Sequence, residues 1–466
     1  MNNKGIILVL DCGATNVRTM AVDETGNLIT GASKPNNTKP DPFYPEYRIW
    51  DIDEIWAKLV VTTREVISKI EQKQILGITV TTFGVDIAPV DEKGNLTYPV
   101  ISWACQRTNP IMENIDKYID MQKLYELNGV NKFSFNTINK LIWFKENQKK
   151  VLEDTKHFVF ISSLLLYKLS GSFVTERTMA GTSMLTELKS QEFSHDILES
   201  IGYDIDIFPK MAEAGEVIGT ICESAHNELN IPIGVPVIAA GHDTQFSMFG
   251  AGAGINQPVL TSGTWEILMV RTPNVRPNSN MYRAGVTTEL DCIQNISTPG
   301  LQWLGSGILE WIKKTFYIQE ILKMPSDNVY ETMIQDAMQI NQSTLNMDPD
   351  FLNNNGIISG IGLNTKRGEI YLAAIKALVK KTKSSLDIVE KNCGFKAREI
   401  ICVGGGSKNS LWNKERARAL GIPVMITKQT ETTVLGAALF ALYGIGLYKS
   451  PDEAREQIDY EFRTVF

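Results

Sequence analysis

Apolar residues at the start of the chain come in short runs that are separated by turns of small and polar residues. Residues 6–10 are all apolar, residues 12–16 (CGATN) form a turn, and residues 17–23 alternate toward a second strand. A hairpin turn at ETGN and a short strand at residues 28–30 follow. The pattern predicts three consecutive strands joined by tight turns.

Helical spacing and apolar runs then alternate along the chain, which is typical of an α/β protein. Residues 34–50, which carry four prolines, predict a loop, and the asparagine-rich residues 341–355 predict a second one on the surface. The predicted strands are residues 77–86, 235–240, 399–403 and 423–427, with a strand–turn–strand unit at 258–270. The predicted helices are residues 53–70, most of 110–170, 410–420 and 432–443.

Two segments half a chain apart share one pattern. Residues 11–19 (DCGATNVRT) and 261–269 (TSGTWEILM) are both strand, Gly/Thr-rich turn, strand units. Two related halves of this kind would each offer a backbone-lined turn and grip a phosphate chain from both sides of a cleft. We therefore predict two α/β domains, residues 1–250 and 251–466, with a hinge in the glycine-rich GAGAG segment.

Composition and charge exclude several classes of protein. The 466 residues are 43% hydrophobic and 21% charged, which excludes wholesale disorder, and the net charge of -7 without a basic stripe disfavours nucleic-acid binding. The six cysteines form no C-x-x-C pair, which suggests free thiols. The first apolar run is too short for a secretory signal, and residues 432–448 are too few to span a membrane. We expect a cytoplasmic protein with no membrane partner.

Signatures of several common enzyme classes are absent from the sequence. It contains no Gly-Lys dipeptide, hence no Walker A loop, and no G-x-S-x-G, H-E-x-x-H or complete G-x-G-x-x-G. Asp11-x-Gly13-x-Thr15 offers another scheme, in which backbone N–H groups and the threonine hydroxyl bind phosphate oxygens. Asp11 would hold Mg²⁺, directly or through water. The alternative is a hairpin turn with an Asx-type hydrogen bond.

Two further turns would complete a nucleotide site. Gly263 and Thr264 in TSGT can donate hydrogen bonds to a γ-phosphate. The run GGGSKN at 404–409, which includes Gly405 and Asn409, lies between a predicted strand and helix and suits an adenosine or its phosphates. Each run could also be an ordinary structural turn. Three of them in the order that a two-lobed ATPase requires favour ATP binding.

A longer motif occupies residues 135–147 and has the pattern F-x-T-x-x-K-L-x-W-F-x-E-N. Together with the three turns, it resembles the FGGY family of carbohydrate kinases, in the superfamily of actin, hexokinase and the heat-shock ATPases. The resemblance covers essentially the whole chain. It implies two ribonuclease H-like α/β domains around an interdomain catalytic cleft, the first binding sugar and the second ATP. One departure is Lys376-Ala377, where the family usually has Glu-Gly, and we favour harmless surface variation there.

The resemblance assigns the catalytic base to Asp243, which would take the proton of the sugar hydroxyl as the phosphoryl group arrives. Without the family, Asp243 could equally be the N-cap of a helix over residues 244–249. His242 would contact the sugar, and its alternative role is that of a packed histidine satisfied by backbone.

The remaining assignments follow from the same resemblance. The residues expected to bind the sugar are Gly84, Asp86, Trp103 and Arg107. Those expected to bind ATP are Gly13, Thr15, Asn16, Arg18, Gly263, Thr264, Gln302, Gly405 and Asn409, with Asp11 for the Mg²⁺ ion. The structural alternatives are a core tryptophan, a solvated Arg107, a backbone-bonded Asp86, a surface Arg18 and an amide at the core edge for Gln302.

Within the family, the runs VLDCGATNVR, VTTFGVD, AGHDTQF, LTSGTWEILMVR and VGGGSKNSLWN are most similar to those of L-fuculokinases. This implies ATP- and Mg²⁺-dependent phosphorylation of the C1 hydroxyl of L-fuculose in L-fucose breakdown. Kinases of L-rhamnulose, D-ribulose or L-xylulose stay open, because one methylene changes pocket affinity by only about 1–3 kcal/mol. An assembling actin-like ATPase and an inactive sugar sensor are the more distant alternatives. A homo-oligomer is compatible with the sequence.

Overall fold

The computed structural model describes residues 5–273, 275–352 and 356–466. Its strands in chain order are β1 Ile6–Cys12, β2 Asn16–Asp23, β3 Leu28–Pro35, β4 Lys39–Pro40, β5 Arg48–Trp50, β6 Ile75–Thr82, β7 Ile87–Val90, β8 Val100–Ile101, β9 His157–Phe160, β10 Thr175–Glu176, β11 Met211–Ala212, β12 Val217–Thr220, β13 Pro236–Ile238, β14 Pro258–Ser262, β15 Trp265–Val270, β16 Thr287–Leu290, β17 Ser297–Leu304, β18 Asn346–Asp348, β19 Ile357–Ser359, β20 Ile400–Val403, β21 Val424–Ile426 and β22 Arg463–Val465.

The helices in chain order are α1 Ile52–Ile67, α2 Asn109–Glu113, α3 Met121–Asn128, α4 Thr137–Asn147, α5 Lys149–Asp154, α6 Ile161–Ser170, α7 Arg177–Gly181, α8 His195–Ser200, α9 Glu223–Leu229, α10 Asp243–Gly250, α11 Ser279–Ala284, α12 Ser306–Phe316, α13 Ile318–Ile321, α14 Ser326–Met338, α15 Arg367–Cys393, α16 Ser410–Leu420, α17 Thr432–Gly444 and α18 Pro451–Glu456. Within the described ranges, none of them is both long enough and apolar enough for a membrane span.

The chain packs into two compact units. Unit 1 comprises Met1–Gly252, Pro273–Thr298 and Glu431–Asp459, and unit 2 comprises Ala253–Thr272, Pro299–Thr430 and Tyr460–Phe466. Two segments beyond residue 250 therefore pack with the N-terminal part of the chain. The single domain boundary expected near residue 250 stays a prediction.

The main sheet of unit 1 has the strand order β12-β13-β6-β1-β2-β3. β1, β2 and β3 are antiparallel neighbours, whereas β6 and β13 continue the sheet in parallel with β1. Leu8 and Leu10 of β1 share a hydrophobic core with Leu59 of α1 and Leu165 of α6. Burial of these aliphatic side chains is the main force that holds the helices on the sheet.

Unit 2 repeats this arrangement with different residues. Its strands run in the order β17-β15-β14-β20-β21-β22, with β17, β15 and β14 antiparallel and β20 and β21 parallel to β14. Three antiparallel strands followed by two parallel ones are thus common to both units. The repeat predicted from residues 11–19 and 261–269 is confirmed as a repeat of topology.

Most predicted elements are confirmed within a few residues, and the differences have physical causes. The expected loop at 34–50 is wrong in part, because β3 runs on to Pro35 and the short strands β4 and β5 pair with each other. The helical expectation for 110–170 missed β9, an edge strand that pairs with β7. Residues 341–355 include β18, and residues 353–355 of that expected loop lie outside the described residues.

Candidate active site

The parallel strands of unit 1 end at one edge of the sheet. β1 pairs in parallel with β6, and β6 with β13, so the carboxyl ends of all three meet there, where α/β proteins commonly bind ligands. Asp11 at the end of β1, Gly84 after β6, and His242 and Asp243 after β13 come together at this edge. These are four of the residues assigned from the sequence.

Asp11 lies opposite Arg18 in the β1–β2 hairpin. Arg18 Nε donates a hydrogen bond to Asp11 Oδ2 at 2.9 Å, and Arg18 Nη1 donates to Glu431 Oε2 at 2.7 Å. Burial raises the pKa of Asp11 to about 6; Arg18 opposes this effect, and Asp243 and Glu431 add to it. Arg18 is therefore held between two carboxylates, and its contact with ATP stays a prediction.

Asp11 suits a magnesium ion that arrives with ATP. The residue is only 4% exposed, and no described residue donates a hydrogen bond to its Oδ1 atom. Mg²⁺ usually takes one or two protein carboxylates and keeps water and phosphate oxygens as its other ligands. The described part of the chain contains no group of three or more His, Cys, Asp or Glu side chains arranged to hold a metal. One carboxylate beside the ATP phosphates is an arrangement that these residues allow.

Hydrogen bonds hold the turn after β1 in place, and part of the turn is exposed to solvent. Gly13 N–H donates to Asn16 O at 2.9 Å, Asn36 Nδ2 donates to Gly13 O at 2.9 Å, and Asn36 N–H donates to Thr15 O at 2.8 Å. Asn36 is buried, whereas Thr15 and Asn16 are exposed. The turn thus presents Thr15 and Asn16 to solvent on a rigid support, as a phosphate-binding turn requires.

His242 and Asp243 begin α10. The helix starts at Asp243 itself, so the alternative of Asp243 as its N-cap is wrong, and His242 occupies that position. The His242 backbone N–H donates to Thr178 Oγ1 at 2.8 Å, and His242 Nε2 lies 3.6 Å from Asp243 Oδ1. Burial raises the pKa of Asp243, and His242 opposes the rise.

α10 is fixed by close packing on α17. Cβ atoms added at Gly250 and Gly436 would stand 1.9 Å from Thr432 O and 2.0 Å from Phe246 O, so only glycine permits this approach of the two helices. Ser247 and Thr432 also share a hydrogen bond at 2.7 Å. The start of α10 therefore has a defined place at the sheet edge.

The side chain behind His242 is Glu289 of β16, a residue that the sequence reasoning missed. Glu289 Oε2 lies 3.3 Å from His242 Nδ1. Burial alone would lower the pKa of His242, but the carboxylates of Glu289 and then Asp243 outweigh it, so this pKa is raised. The imidazole consequently favours its charged form more than an ordinary histidine does.

Gly84 leaves room for the His242 ring. A Cβ atom at this position would stand 2.9 Å from both Cδ2 and Nε2 of His242 and 3.0 Å from Thr182 Cγ2. Any side chain here would displace the ring. The predicted contact of Gly84 with sugar is untested, and its close approach to His242 is a second reason for glycine.

Asp86 is a fully buried carboxylate. Trp50 Nε1 donates to its Oδ2 at 2.6 Å, the backbone N–H of Trp103 donates to the same oxygen at 3.0 Å, and Lys140 forms an ion pair with Oδ1. Burial raises the pKa of Asp86, although Lys140 opposes the rise. The structural alternative of a backbone bond is thus present, and the direct sugar contact stays a prediction.

Trp103 is not the core tryptophan, and Arg107 is not the solvated side chain, that their structural alternatives describe. Trp103 is 40% exposed and is not a core tryptophan. Arg107 is buried instead of solvated: its Nη2 lies 2.6 Å from Asp41 Oδ2, and its guanidinium stacks over Tyr47 at 4.5 Å. Trp103 is therefore available to a sugar face, whereas the predicted sugar contact of Arg107 would compete with a buried ion pair.

Unit 2 carries the second turn, between β14 and β15. Gly263 N–H donates to Trp265 O at 3.0 Å, and the backbone N–H groups of Gly305 and Ser306 donate to Thr264 O and Gly263 O. Thr264 is exposed. As in unit 1, the turn is supported by backbone hydrogen bonds and leaves its threonine free at the surface.

The glycine turn after β20 lies against this hairpin, within unit 2. A Cβ atom at Gly406 would stand 2.2 Å from Ser262 Oγ, whereas one at Gly405 would meet no described residue within 4 Å. Asn409 is the N-cap of α16, where its Oδ1 accepts from Trp412 N–H at 3.1 Å and its Nδ2 donates to the Tyr371 hydroxyl at 2.7 Å. Gly405 is open to a ligand, and Asn409 has a structural role besides its predicted one.

Behind both turns of unit 2 lies a sealed ion pair, also missed from the sequence. Arg416 and Glu266 form a salt bridge with no exposure of either side chain. Arg416 Nη2 also donates to Ser262 Oγ at 2.8 Å, and Trp303 Nε1 donates to Glu266 Oε2 at 3.0 Å. The pair connects the strands that carry the two turns.

Gln302 lies in a pocket of unit 2 with a volume of about 570 Å³. Ala377, Lys380 and Asp348 are among its other lining residues. Lys376 is exposed on α15 and does not line the pocket, whereas its neighbour Ala377 does. The departure from the family's Glu-Gly therefore adds a methyl group to a pocket wall, and its effect on the nucleotide stays open.

The missed residues share one sequence signal. Glu266 and Glu289 are single acidic residues inside otherwise apolar or β-branched strand segments, WEILMV and TTEL. A charge in such a segment must find a partner, because burial of an unpaired charge is costly. The sequence contains the signal but gives no means of naming the partner.

Models of one protein family match most of the chain. The family models "FGGY family of carbohydrate kinases, N-terminal domain" and "C-terminal domain" match residues 6–250 and 259–445. An L-fuculokinase of Escherichia coli strain K12 is 46% identical over 99% of this chain and 97% of its own length, and one of Haemophilus influenzae is 43% identical over 99% of each.

A solved xylulose kinase from Rhodospirillum rubrum has the same fold. It superimposes with a TM-score of 0.88 over 99% of this chain and 93% of its own, at 18% identity. The two-domain mixed α/β fold expected from the sequence is thereby confirmed. The chain belongs to the FGGY family of carbohydrate kinases.

Proposed function

We propose that the protein phosphorylates L-fuculose on its C1 hydroxyl with ATP and Mg²⁺, giving L-fuculose 1-phosphate for L-fucose breakdown. The observation that carries the choice of sugar is the identity of 43–46% to L-fuculokinases along nearly the whole chain. All six cysteines lie in the described part of the chain and no disulfide joins any of them, which supports the further proposal of a reducing, cytoplasmic location.

In this proposal Asp243 is the general base. It is partly exposed at the start of a fixed helix, next to His242 and at the same sheet edge as Asp11. The carboxylate accepts the C1 hydroxyl proton as the oxygen attacks the γ-phosphate. His242 Nε2, on the same side as Asp243 Oδ1, donates to a sugar oxygen and orients the hydroxyl.

The nucleotide is proposed to bind through the turns. Backbone N–H groups and hydroxyls of Thr15 and Thr264 meet phosphate oxygens, Gly405 lets the nucleotide approach the backbone, and Gln302 lies near the base. Asp11 would hold the magnesium ion, which neutralises phosphate charge when it is bound. The expected cleft between the domains stays a prediction.

The test is ADP release with Mg²⁺-ATP over a panel of L-fuculose, L-rhamnulose, D-ribulose, L-xylulose, D-xylulose and glycerol. We expect L-fuculose to give the highest kcat/KM and Asp243→Asn to lower kcat by about 10²–10⁴-fold, the usual contribution of a general base. Asp196→Asn is the matched control, because the exposed pair His195–Asp196 also begins a helix.

Each other result has a distinct meaning. Another ketose at the top of the panel would contradict the sugar and leave the kinase chemistry intact. An unchanged kcat in Asp243→Asn would contradict the base. If no sugar accelerates ADP release, the kinase proposal fails, and sedimentation with ATP would then test for filament assembly.

A further inference from the structure

The His242 imidazole lies next to a carboxylate that is itself held at both oxygens. Thr182 Oγ1 donates to Glu289 Oε1 at 2.8 Å, and Gln245 Nε2 donates to Glu289 Oε2 at 2.8 Å. Thr298 Oγ1 in turn donates to Gln245 Oε1 at 3.0 Å, which fixes the orientation of the Gln245 amide. Glu289 therefore has one position, 3.3 Å from His242 Nδ1.

The opposite edge of the His242 ring, with Nε2, faces Asp243. Gly84 leaves only enough room for Cδ2 and Nε2, and Nε2 lies 3.6 Å from Asp243 Oδ1. The backbone of His242 is held separately, by Thr178 Oγ1. Nδ1 itself is buried and has no hydrogen-bond partner of normal geometry among the described residues, so Glu289 acts on it as the nearby charge, and Nε2 is left facing Asp243.

We propose that Glu289 is a positioning residue for sugar phosphorylation: it orients the His242 imidazole and favours its protonated form, so that Nε2–H donates to the sugar beside Asp243. A carboxylate that accepts from one ring nitrogen determines which nitrogen faces the substrate. The expected kinetic effects rest on the proposed function. The expected NMR effects rest only on the contacts of His242.

The charges around His242 determine the expected pH dependence. Glu289 on β16, Asp243 on α10 and Glu176 at the start of α7 all favour the imidazolium, and burial opposes it. The imidazolium in turn favours the ionised form of Asp243. Loss of the Glu289 charge should therefore lower the pKa of His242. Its two effects on Asp243 oppose each other, because Glu289 itself also raises the pKa of Asp243.

The experiment compares wild type with Glu289→Gln by NMR titration of the histidine ring protons. The chain has only four histidines, and the signal of His242 is the one that disappears in His242→Asn. We expect the His242 titration midpoint to fall in Glu289→Gln and the other three to stay unchanged. The exposed Glu192→Gln, which removes the same charge elsewhere in unit 1, should leave the His242 midpoint unchanged.

Kinetics on L-fuculose complete the test. We expect Glu289→Gln to raise the sugar KM about tenfold, as for loss of a hydrogen bond to a charged group, with the KM for ATP unchanged. Thr182→Val keeps the Glu289 charge and frees one oxygen, so its His242 midpoint should stay near that of wild type while the sugar KM rises.

The outcomes separate this inference from the proposed function. A folded Glu289→Gln with an unchanged His242 midpoint overturns the inference, whatever sugar is phosphorylated. A lowered midpoint in a protein that phosphorylates no sugar on the panel keeps the Glu289–His242 coupling and overturns the proposed function. If Glu289→Gln fails to fold, Thr182→Val and Glu289→Asp decide: no change in sugar KM for either one overturns the inference.

Discussion

The two units build the same strand order and place a Gly/Thr turn at the same point of it, but they use charge differently beside that turn. In unit 1, the carboxylate of Asp11 is paired with Arg18, whose side chain is 27% exposed and also bonded to Glu431. In unit 2, Glu266 and Arg416 are both fully buried. One turn thus has a carboxylate with an oxygen left for a ligand, and the other has an ion pair that no ligand reaches.

The difference shows that a repeated topology does not imply repeated chemistry. β1 and β14 bring their turns to equivalent places because the sheets pair alike. The role of each turn then depends on two or three side chains on neighbouring strands. In unit 1 we propose that these side chains serve the reaction, and in unit 2 they connect strands β14, β15 and β17 to α16.

The largest effect on stability is expected from opening the sealed pair of unit 2. Arg416→Met leaves the Glu266 carboxylate buried without its cation, which should lower the free energy of unfolding by about 3–5 kcal/mol. Urea denaturation followed by tryptophan fluorescence measures the change, since Trp303 and Trp412 both contact the pair.

The double variant Glu266→Gln/Arg416→Met is the control. With both charges removed, the amide oxygen of the introduced glutamine can accept from Trp303 Nε1 and its NH2 group can donate to Ser262 Oγ, so most of the lost stability should return. If Arg416→Met unfolds at the same urea concentration as wild type, the pair is not the structural support of the two turns.

A smaller effect is expected from a second buried glutamate, Glu176 of unit 1. Glu176 accepts from Thr178 and Met179, its Oε1 has no hydrogen-bond partner among the described residues, and burial raises its pKa to about 7. Folding therefore favours the protonated acid. That stabilisation is complete below pH 4.5 and is lost as the pH rises toward 7, by on the order of 3 kcal/mol.

Glu176→Gln should remove this part of the pH dependence, because a glutamine stays neutral throughout. The free energy of unfolding, measured by urea denaturation at pH 5, 6, 7 and 8, should fall less steeply with pH than in wild type. Glu192→Gln, an exposed carboxylate of the same unit, should keep the wild-type slope. Parallel slopes for wild type and Glu176→Gln would show that this carboxyl titrates normally.

The sequence predicts the backbone of these two units better than their ion pairs. The hairpins at 6–23 and 258–270 follow from alternation and glycine turns, which act over a few residues. Strand β9 was not predicted, because its four residues, HFVF, also fit the helical pattern that surrounds them. The segments 273–298 and 431–459 join unit 1 through contacts between distant parts of the chain, which local patterns do not encode.

Among the predicted site residues, the sequence was more informative about position than about surroundings. Asp11, His242 and Asp243 do meet at one sheet edge. Arg107 shows the limit, because its partner Asp41 lies 66 residues away in a region expected to be a loop. Burial and pairing of charges arise from tertiary packing, which the sequence does not show directly. The sequence alone is therefore compatible with Arg107 as a sugar contact and with Arg107 as a solvated side chain.

The smallest expected effect separates ligand contact from fold support within a single turn. Gly405→Ala places a methyl group in open space, so stability should stay within about 0.5 kcal/mol of wild type, the usual range for such sites. If ATP approaches this backbone, its KM should rise roughly tenfold, equivalent to about 1.4 kcal/mol, with the sugar KM unchanged. The adjacent Gly406→Ala forces a Cβ atom against Ser262 of the buried network and should instead lower the urea midpoint. An unchanged KM for ATP in Gly405→Ala would show that this turn is not part of the nucleotide site. Of the two turns in unit 2, the Gly263–Thr264 turn would then be the one left to bind phosphate.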